Sequence, residues 1–450
     1  MSQKQRVNFG SRLGVLAAAA GSAIGLGNIW RFPYELGQNG GFAFLIVYLL
    51  CALMIGWPLM LSEFTLGRMG QSNVAGSFRA ITHVKHWQWI GVMGVCCALL
   101  IMGFYSVVCG WTLEYIYQAV TDGFSGKTPA DLSLAFTAFS SDTVRPVLWM
   151  LLFLFVNCFI VLAGVQKGIE RSAKMLMPFL FLILIVLCVR SVTLPGGMEG
   201  LKFLFAPDFS KITPKVVLSA MGQAFFSLSL GMGCMVTYGS YISKQANLER
   251  TALEVTGLDT LMAILCAITI FPAVFAMGIN PSQGPELVFI TLPTVFNQMP
   301  GGYIWAILFF LLLSIAALTS TISLLEVITA YISEELKWSR KVTAIIVSIV
   351  IALLGVACSL SMGVWGEFRV FGLNLFDLFD KFTSYILMPL GGIGISLFMG
   401  WHLDRKRLEQ ELSNEGTLKL KYIKVYVFLL KYVTPLAILL VFINQIVGLF

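Results

Sequence analysis

The stretch GSAIGLGNIWRFPY, residues 21–34, decides how this chain is read. An apolar run from Leu13 to Ala20 leads into it, and another begins at Phe42. It sets Gly21, Gly25, Gly27, Asn28 and Arg31 at or near membrane depth. A backbone N–H or C=O released from its helix inside hydrocarbon is costly unless something satisfies it. A helix weakened here is tolerable only beside a polar ligand or a water-filled cavity.

The rest of the chain supplies the membrane. Of 450 residues, 58% are hydrophobic and 12% charged. Stretches of about 20 apolar residues recur, each long enough for a bilayer core of about 30 Å. They read as eleven spans: 12–37, 41–69, 88–121, 146–165, 170–191, 214–241, 256–280, 301–335, 340–361, 377–402 and 421–447. The expected fold is therefore an all-α polytopic membrane protein in one domain. The connection 281–300 is apolar but bracketed by prolines and too short to cross, so it reads as a re-entrant or capping hairpin.

The net charge of +7 is unevenly placed. Lys4 and Arg6 precede the first span; Lys167, Arg171 and Lys174 lie between the fourth and fifth. Lys337, Arg340 and Lys341 follow the eighth, and six basic residues from Arg405 to Lys424 fill the last loop. All fall on one side if the N-terminus is cytoplasmic, which leaves the C-terminus outside a cell (inner) membrane. The basic balance thus reports orientation, with no nucleic-acid partner. The nine cysteines form no CxxC pair. His83 and His86 lack a carboxylate or thiol partner for a metal. No cleavable signal peptide is expected.

The sixth span carries FFSLSLGMG, residues 225–233, another interruption by Gly and Ser five spans after the first. Matched interruptions point to inverted repeats around a central site. With five spans per repeat the second copy is inverted, giving a 5+5 arrangement with discontinuous helices 1 and 6. Repeat one covers about 12–191, repeat two about 214–402, and an extra helix about 421–447. Broken ends expose carbonyls for a small cation and helix N-terminal amides for a carboxylate, a combination that suits a zwitterion and a cation together. Glycines also permit close helix packing; Asn28 and Ser227 within the breaks favour a site.

GLGNIWRFPY, GQAFFSLSLGMG and ALTSTISLLE (residues 317–326) resemble the neurotransmitter:sodium symporter family, in its prokaryotic branch. The resemblance implies a sodium-coupled importer working by alternating access, not an enzyme, with two sodium ions and no organic cofactor. It implies a first sodium site from Ala23, Asn28, Ser227 and Asp259, completed by the substrate carboxylate. A second would use Gly21, Ile24, Ala316, Thr319 and Ser320. Residues 316, 319 and 320 share one helical face, although Thr319 and Ser320 can equally bond back to their own helix. Chloride-dependent members carry Asn where this chain has Asp259, and a nearby Ser where it has Ala263, so transport is expected to be chloride-independent. An ionised Asp in low dielectric needs a counter-charge, and sodium supplies one.

Monoamine carriers of the family have Asp at the position of Gly25. Here the carboxylate must come from the substrate, an amino acid. By resemblance Leu26, Gly27 and Tyr105 hold that carboxylate, while Ala23, Phe226, Ser227 and Ser229 meet the ammonium. The side chain would face Ile101, Tyr105, Phe226, Met232, Ser320 and Leu324. This apolar lining, with a flexible Met, predicts branched and aromatic hydrophobic L-amino acids. Arg31 and Asp380 are the implied outer gate. Arg6 and Glu334, near Phe9 and Tyr241, are the implied inner gate. Glu63 in the second span is expected to accept amides freed by the broken sixth. Gly168 and Pro178 match a Gly-X9-Pro motif linked to inward sodium release. An amino-acid sensor without transport, a carrier of a different zwitterion, and a channel remain alternatives.

Overall fold

Ser11 starts the first helix by accepting the Gly14 amide at 3.0 Å, as an N-cap should. A computed structural model describes residues 8–278 and 288–447. We name the principal helices α1 (Arg12–Ala23), α2 (Gly27–Gln38), α3 (Phe42–Gly70), α4 (Lys85–Val120), α5 (Arg145–Leu162), α6 (Val165–Val192), α7 (Pro214–Ser227), α8 (Cys234–Gly239), α9 (Leu248–Ala276), α10 (Gly302–Leu336), α11 (Arg340–Leu360), α12 (Leu375–His402) and α13 (Ile423–Val447). Thr213 caps α7, Asn247 α9, Ser339 α11 and Asn374 α12, each with its side chain on an early amide.

Eleven crossings were expected. Among the described residues nine helices are long and apolar enough to cross, and ten if α1 and α2, bent by 52°, count as one. The sixth expected crossing makes the difference. It is split into α7 with 14 residues and α8 with six, each short of a crossing on its own. The seventh begins at Leu248, eight residues before the apolar pattern, because Asn247 caps a charged first turn.

Burial sorts the helices. The apolar window of α10 is 78% buried, while those of α5, α6 and α11 are 33–39% buried. Leu148, Leu152, Phe155 and Phe159 form an exposed stripe along α5; a helical stripe of apolar residues facing outward suits lipid. α10 packs on α4, α6 and α1, placing it beside the first break.

At the end of the bundle where the chain starts, polar contacts join elements far apart in sequence. Glu170, in the first turn of α6, accepts the Gly10 amide at 2.7 Å and the Ser11 hydroxyl at 3.0 Å. Arg340 is no free loop charge. It pairs with Glu326, buried in α10, which also accepts the Tyr241 hydroxyl at 2.6 Å. Of the expected hairpin, residues 281–287 lie outside the described residues. The remainder includes Phe289, packed edge-on to Trp30 and Trp111 at 5.8 and 5.7 Å, and the helix Thr291–Asn297.

Candidate functional site

Both interruptions are present. α1 ends where Ile24 turns extended, with ψ 99°. The chain resumes as a π-helical turn, Gly27–Arg31. Beyond α7, Ser229, Gly231 and Gly233 take positive φ of 54°, 79° and 84°, the left-handed region that glycine enters without strain. At Gly231 a side chain would also overlap the Met388 carbonyl. Three of the freed amides meet side-chain acceptors. Gly25 N donates to Asn28 Oδ1 at 3.2 Å, Leu26 N to Tyr105 Oη at 3.1 Å, and Gly231 N to Glu63 Oε1 at 2.7 Å. Glu63 therefore has the role expected of it.

Between the breaks lies a cavity of about 410 Å³. All eleven residues expected at the substrate line it: Ala23, Leu26, Gly27, Ile101, Tyr105, Phe226, Ser227, Ser229, Met232, Ser320 and Leu324. Gly25 lines it as well, and a Cβ there would stand 2.5 Å from Ser320 Oγ and 3.2 Å from Tyr105 Oη. No side chain fits that position without moving one of them. Three of the lining hydroxyls are already engaged by the backbone of the first span: Tyr105 on the Leu26 amide, Ser229 on the Ser22 carbonyl at 3.0 Å, and Ser320 on the Ser22 and Ile24 carbonyls.

Two polar clusters flank the cavity. In the first, Asn28 Nδ2 donates to Ser227 Oγ at 3.0 Å and to Asp259 Oδ1 at 2.8 Å, while Ser227 Oγ donates to Asp259 Oδ2 at 2.8 Å. Tyr48 Oη adds a longer contact of 3.5 Å to Oδ2. Asp259 is fully buried, and among the described residues no cationic side chain forms a salt bridge with it. In the second, Ser320 Oγ donates to the Ser22 and Ile24 carbonyls at 3.0 and 3.4 Å. Thr319 Oγ1 bonds back to Ile315 and Ala316 at 3.2 and 3.0 Å, the local alternative open in the sequence. Gly21 faces it: a Cβ there would lie 3.2 Å from Thr319 Cβ and 3.3 Å from Met177 Sδ. Hard oxygens from α1 and α10 thus converge beside the residue preceding Pro178, which lies inside α6.

Residues 6–129 and 134–449 match the family model described as the sodium:neurotransmitter symporter family. The chain belongs to that family. It is 40% identical to an uncharacterized sodium-dependent transporter of Bacillus subtilis over 99% of both chains. It is 28% identical to the sodium-dependent serotonin transporter of Drosophila melanogaster, covering 100% of this chain and 78% of that one. Its fold is similar to the crystal structure of MhsT in complex with L-phenylalanine, with TM-score 0.89, 46% identity, and 98% and 100% of the two chains covered. The protein is a multi-pass membrane symporter and not an enzyme: sodium-coupled, carrying an amino-acid-type substrate.

The gate residues are less simply arranged. Arg31 and Asp380 both line the cavity mouth, but Arg31 stacks over the Phe226 ring at 4.4 Å and its ion-pair partner is Glu35, not Asp380. Glu334 Oε2 accepts the Asn73 amide at 2.7 Å and the Ser72 hydroxyl at 3.1 Å; Arg6 lies outside the described residues. Phe9 and Tyr241 meet as expected, with the Phe9 amide on the Tyr241 carbonyl at 2.9 Å and the rings 5.9 Å apart. Gly168 packs so tightly that a Cβ would overlap the Ile160 carbonyl. Sequence reasoning missed Glu35, Ser22, Tyr48 and Tyr385. Ser22, Tyr48 and Tyr385 are ordinary residues of apolar helices until the fold brings them to the cavity or its clusters, whereas the charge of Glu35 inside the first span, one turn from Arg31, was a signal that could have found it.

Proposed function

We propose that this symporter imports hydrophobic L-amino acids, branched and aromatic, with two sodium ions and without chloride, by alternating access. The observation that carries this reading is the closed space around Gly25, together with the apolar side chains of Ile101, Phe226, Met232 and Leu324 on the cavity wall. No protein carboxylate can stand there to meet a substrate amine, so the substrate brings its own. The broken α1 supplies the Leu26 and Gly27 amides for that carboxylate, with Tyr105 yielding the Leu26 amide as the ligand arrives. The carbonyls of Ala23, Phe226 and Ser227 and the Ser229 oxygen receive the ammonium. Ile101, Met232 and Leu324 face the side chain, and Met supplies an adaptable wall. That MhsT was crystallised with L-phenylalanine agrees with an aromatic ligand.

The first ion would lie among Ala23, Asn28, Ser227 and Asp259, with the Asn28 amide turned to present its oxygen. The fixed charge of Asp259 stands in for a chloride. The second would lie among Gly21, Ile24, Ala316, Thr319 and Ser320. The end of the bundle carrying the N-terminus is cytoplasmic, in an inner membrane. The five-span repeats at about 12–191 and 214–402 rock around the site, with 421–447 outside both.

Radiolabelled uptake into proteoliposomes, with sodium and chloride varied separately, tests this. The reading expects sodium-driven accumulation of leucine, phenylalanine or tryptophan that persists without chloride. Saturable binding without flux would make the protein a sensor. Preference for glycine or a charged amino acid would refute the substrate class.

A further inference from the structure

At the cavity mouth, one guanidinium faces two carboxylates. Arg31 Nε lies 4.0 Å from Glu35 Oε1, one turn further along α2. Glu35 is itself fixed. Its Oε2 accepts Ser219 Oγ at 2.5 Å and Asn39 Nδ2 at 3.3 Å, and Asn39 also donates to Ser219 Oγ at 3.2 Å. Ser219 belongs to α7, so the Glu35 carboxylate ties α2 to α7. Asp380 belongs to α12, on the other side of the mouth, where its Oδ1 accepts the Ser384 hydroxyl at 3.2 Å. Both Arg31 and Asp380 line the cavity, yet Arg31 pairs with Glu35.

Arg31 and Glu35 both ride on α2, which Ser219 ties to α7. When the broken helices move together, the Arg31–Glu35 distance is preserved. The Arg31–Asp380 distance changes, because it spans α2 and α12. The single charge of a guanidinium balances one of two carboxylates, so Glu35 competes with Asp380 for it and thereby with closure.

We propose that Glu35 is a positioning residue of the outer gate: anchored by Ser219 and Asn39, it holds Arg31 away from Asp380 and so stabilises the open vestibule against the closed one. This rests on the alternating-access reading above. A partly exposed pair of this kind shifts such an equilibrium by a small factor, which is what a reversible gate needs.

The test uses the full chain with Val108, which lines the same cavity, replaced by cysteine. Labelling by a membrane-impermeant thiol reagent is followed from outside, in sodium without amino acid, and the rate of the same chain lacking V108C is subtracted. Glu35→Gln is expected to slow labelling by about two- to five-fold, while Glu35→Asp stays near wild type. In an Asp380→Asn background, Glu35→Gln should change nothing, since the competitor is gone. Unchanged or faster labelling in Glu35→Gln overturns the proposal. So does equal slowing in the Asp380→Asn background, which is also what mere misfolding would give. Wild-type uptake indifferent to sodium would overturn the transport reading; sodium-driven uptake with unmoved labelling overturns the gate alone.

Discussion

The Glu63 carboxylate on α3 accepts the amide of Gly231, 168 positions away in sequence in the break between α7 and α8, at 2.7 Å. That bond is the condition for the second break. Gly231 has left the helical ladder, its φ is 79°, and the Met388 carbonyl leaves no room for another residue. Without an acceptor its buried N–H would be orphaned. Glu63→Ala should therefore lower stability by about 1–3 kcal/mol and impair amino-acid binding. Glu63→Gln, which keeps an oxygen acceptor, should lose less. Thermal unfolding of purified protein, with and without phenylalanine, measures both; equal melting of all three proteins would contradict this role.

Asp259 stands with Asn28 and Ser227 at 2.8 Å each, fully buried. Asp259→Asn removes the fixed negative charge. The sodium concentration for half-maximal uptake should rise about ten-fold or more, or uptake should become chloride-dependent. Sodium titrations at zero and high chloride decide it. A wild-type midpoint without chloride would sink the assignment.

Gly25→Ala places a methyl 2.5 Å from Ser320 Oγ and 3.2 Å from Tyr105 Oη. Overpacking of this kind costs roughly 1–3 kcal/mol, concentrated where the substrate and the second ion are proposed to sit. We expect correct membrane insertion with uptake reduced at least about ten-fold. Scintillation proximity binding of labelled leucine, compared with surface expression, tests it; full affinity in Gly25→Ala would remove the argument from crowding.

Glu170 ties the start of α1 to α6 through Gly10 and Ser11, and a Cβ at Gly14 would run into that carboxylate. Gly14→Ala and Glu170→Ala should both loosen this end of the bundle. A cysteine in place of Leu16, half-buried in α1, should then react with a thiol reagent several-fold faster from the inner side, at about 1–3 kcal/mol of lost bonding. Equal reactivity in all backgrounds would show that the tie is not a closure.

Pro178 follows Met177, whose sulfur approaches Gly21 beside the second ion cluster. Pro cannot donate the ladder bond that α6 would otherwise make there. Pro178→Ala should stiffen α6 and slow inward sodium release, seen as a lower turnover with an unchanged half-saturating sodium concentration. Unaltered turnover would leave Pro178 a tolerated residue only.

Much of this was legible before any coordinates. Apolar runs of bilayer length determined the helical membrane class, because a helix satisfies its own backbone polar groups there and the other solution, a closed β-barrel, needs an alternating pattern. The paired interruptions at residues 21–28 and 225–233 located both breaks. Glu63 declared itself by being charged inside a span; the reading of Gly25 came instead from the resemblance to the family. These signals are local: each is a residue type that its surroundings make expensive.

Partnerships across the fold were not legible. Arg340 read as a loop cation until Glu326 was found opposite it. The seventh span seemed to begin at residue 256 because capping by Asn247 extends a helix past its apolar pattern. Arg31 was matched to Asp380 across the vestibule; Glu35 stands one turn from Arg31 on the same helix, but its anchoring by a serine 184 positions away came only from the packing of α2 on α7. Hydropathy and glycine spacing are written along the chain; which carboxylate meets which cation depends on distances between helices, and those exist only once the bundle has closed.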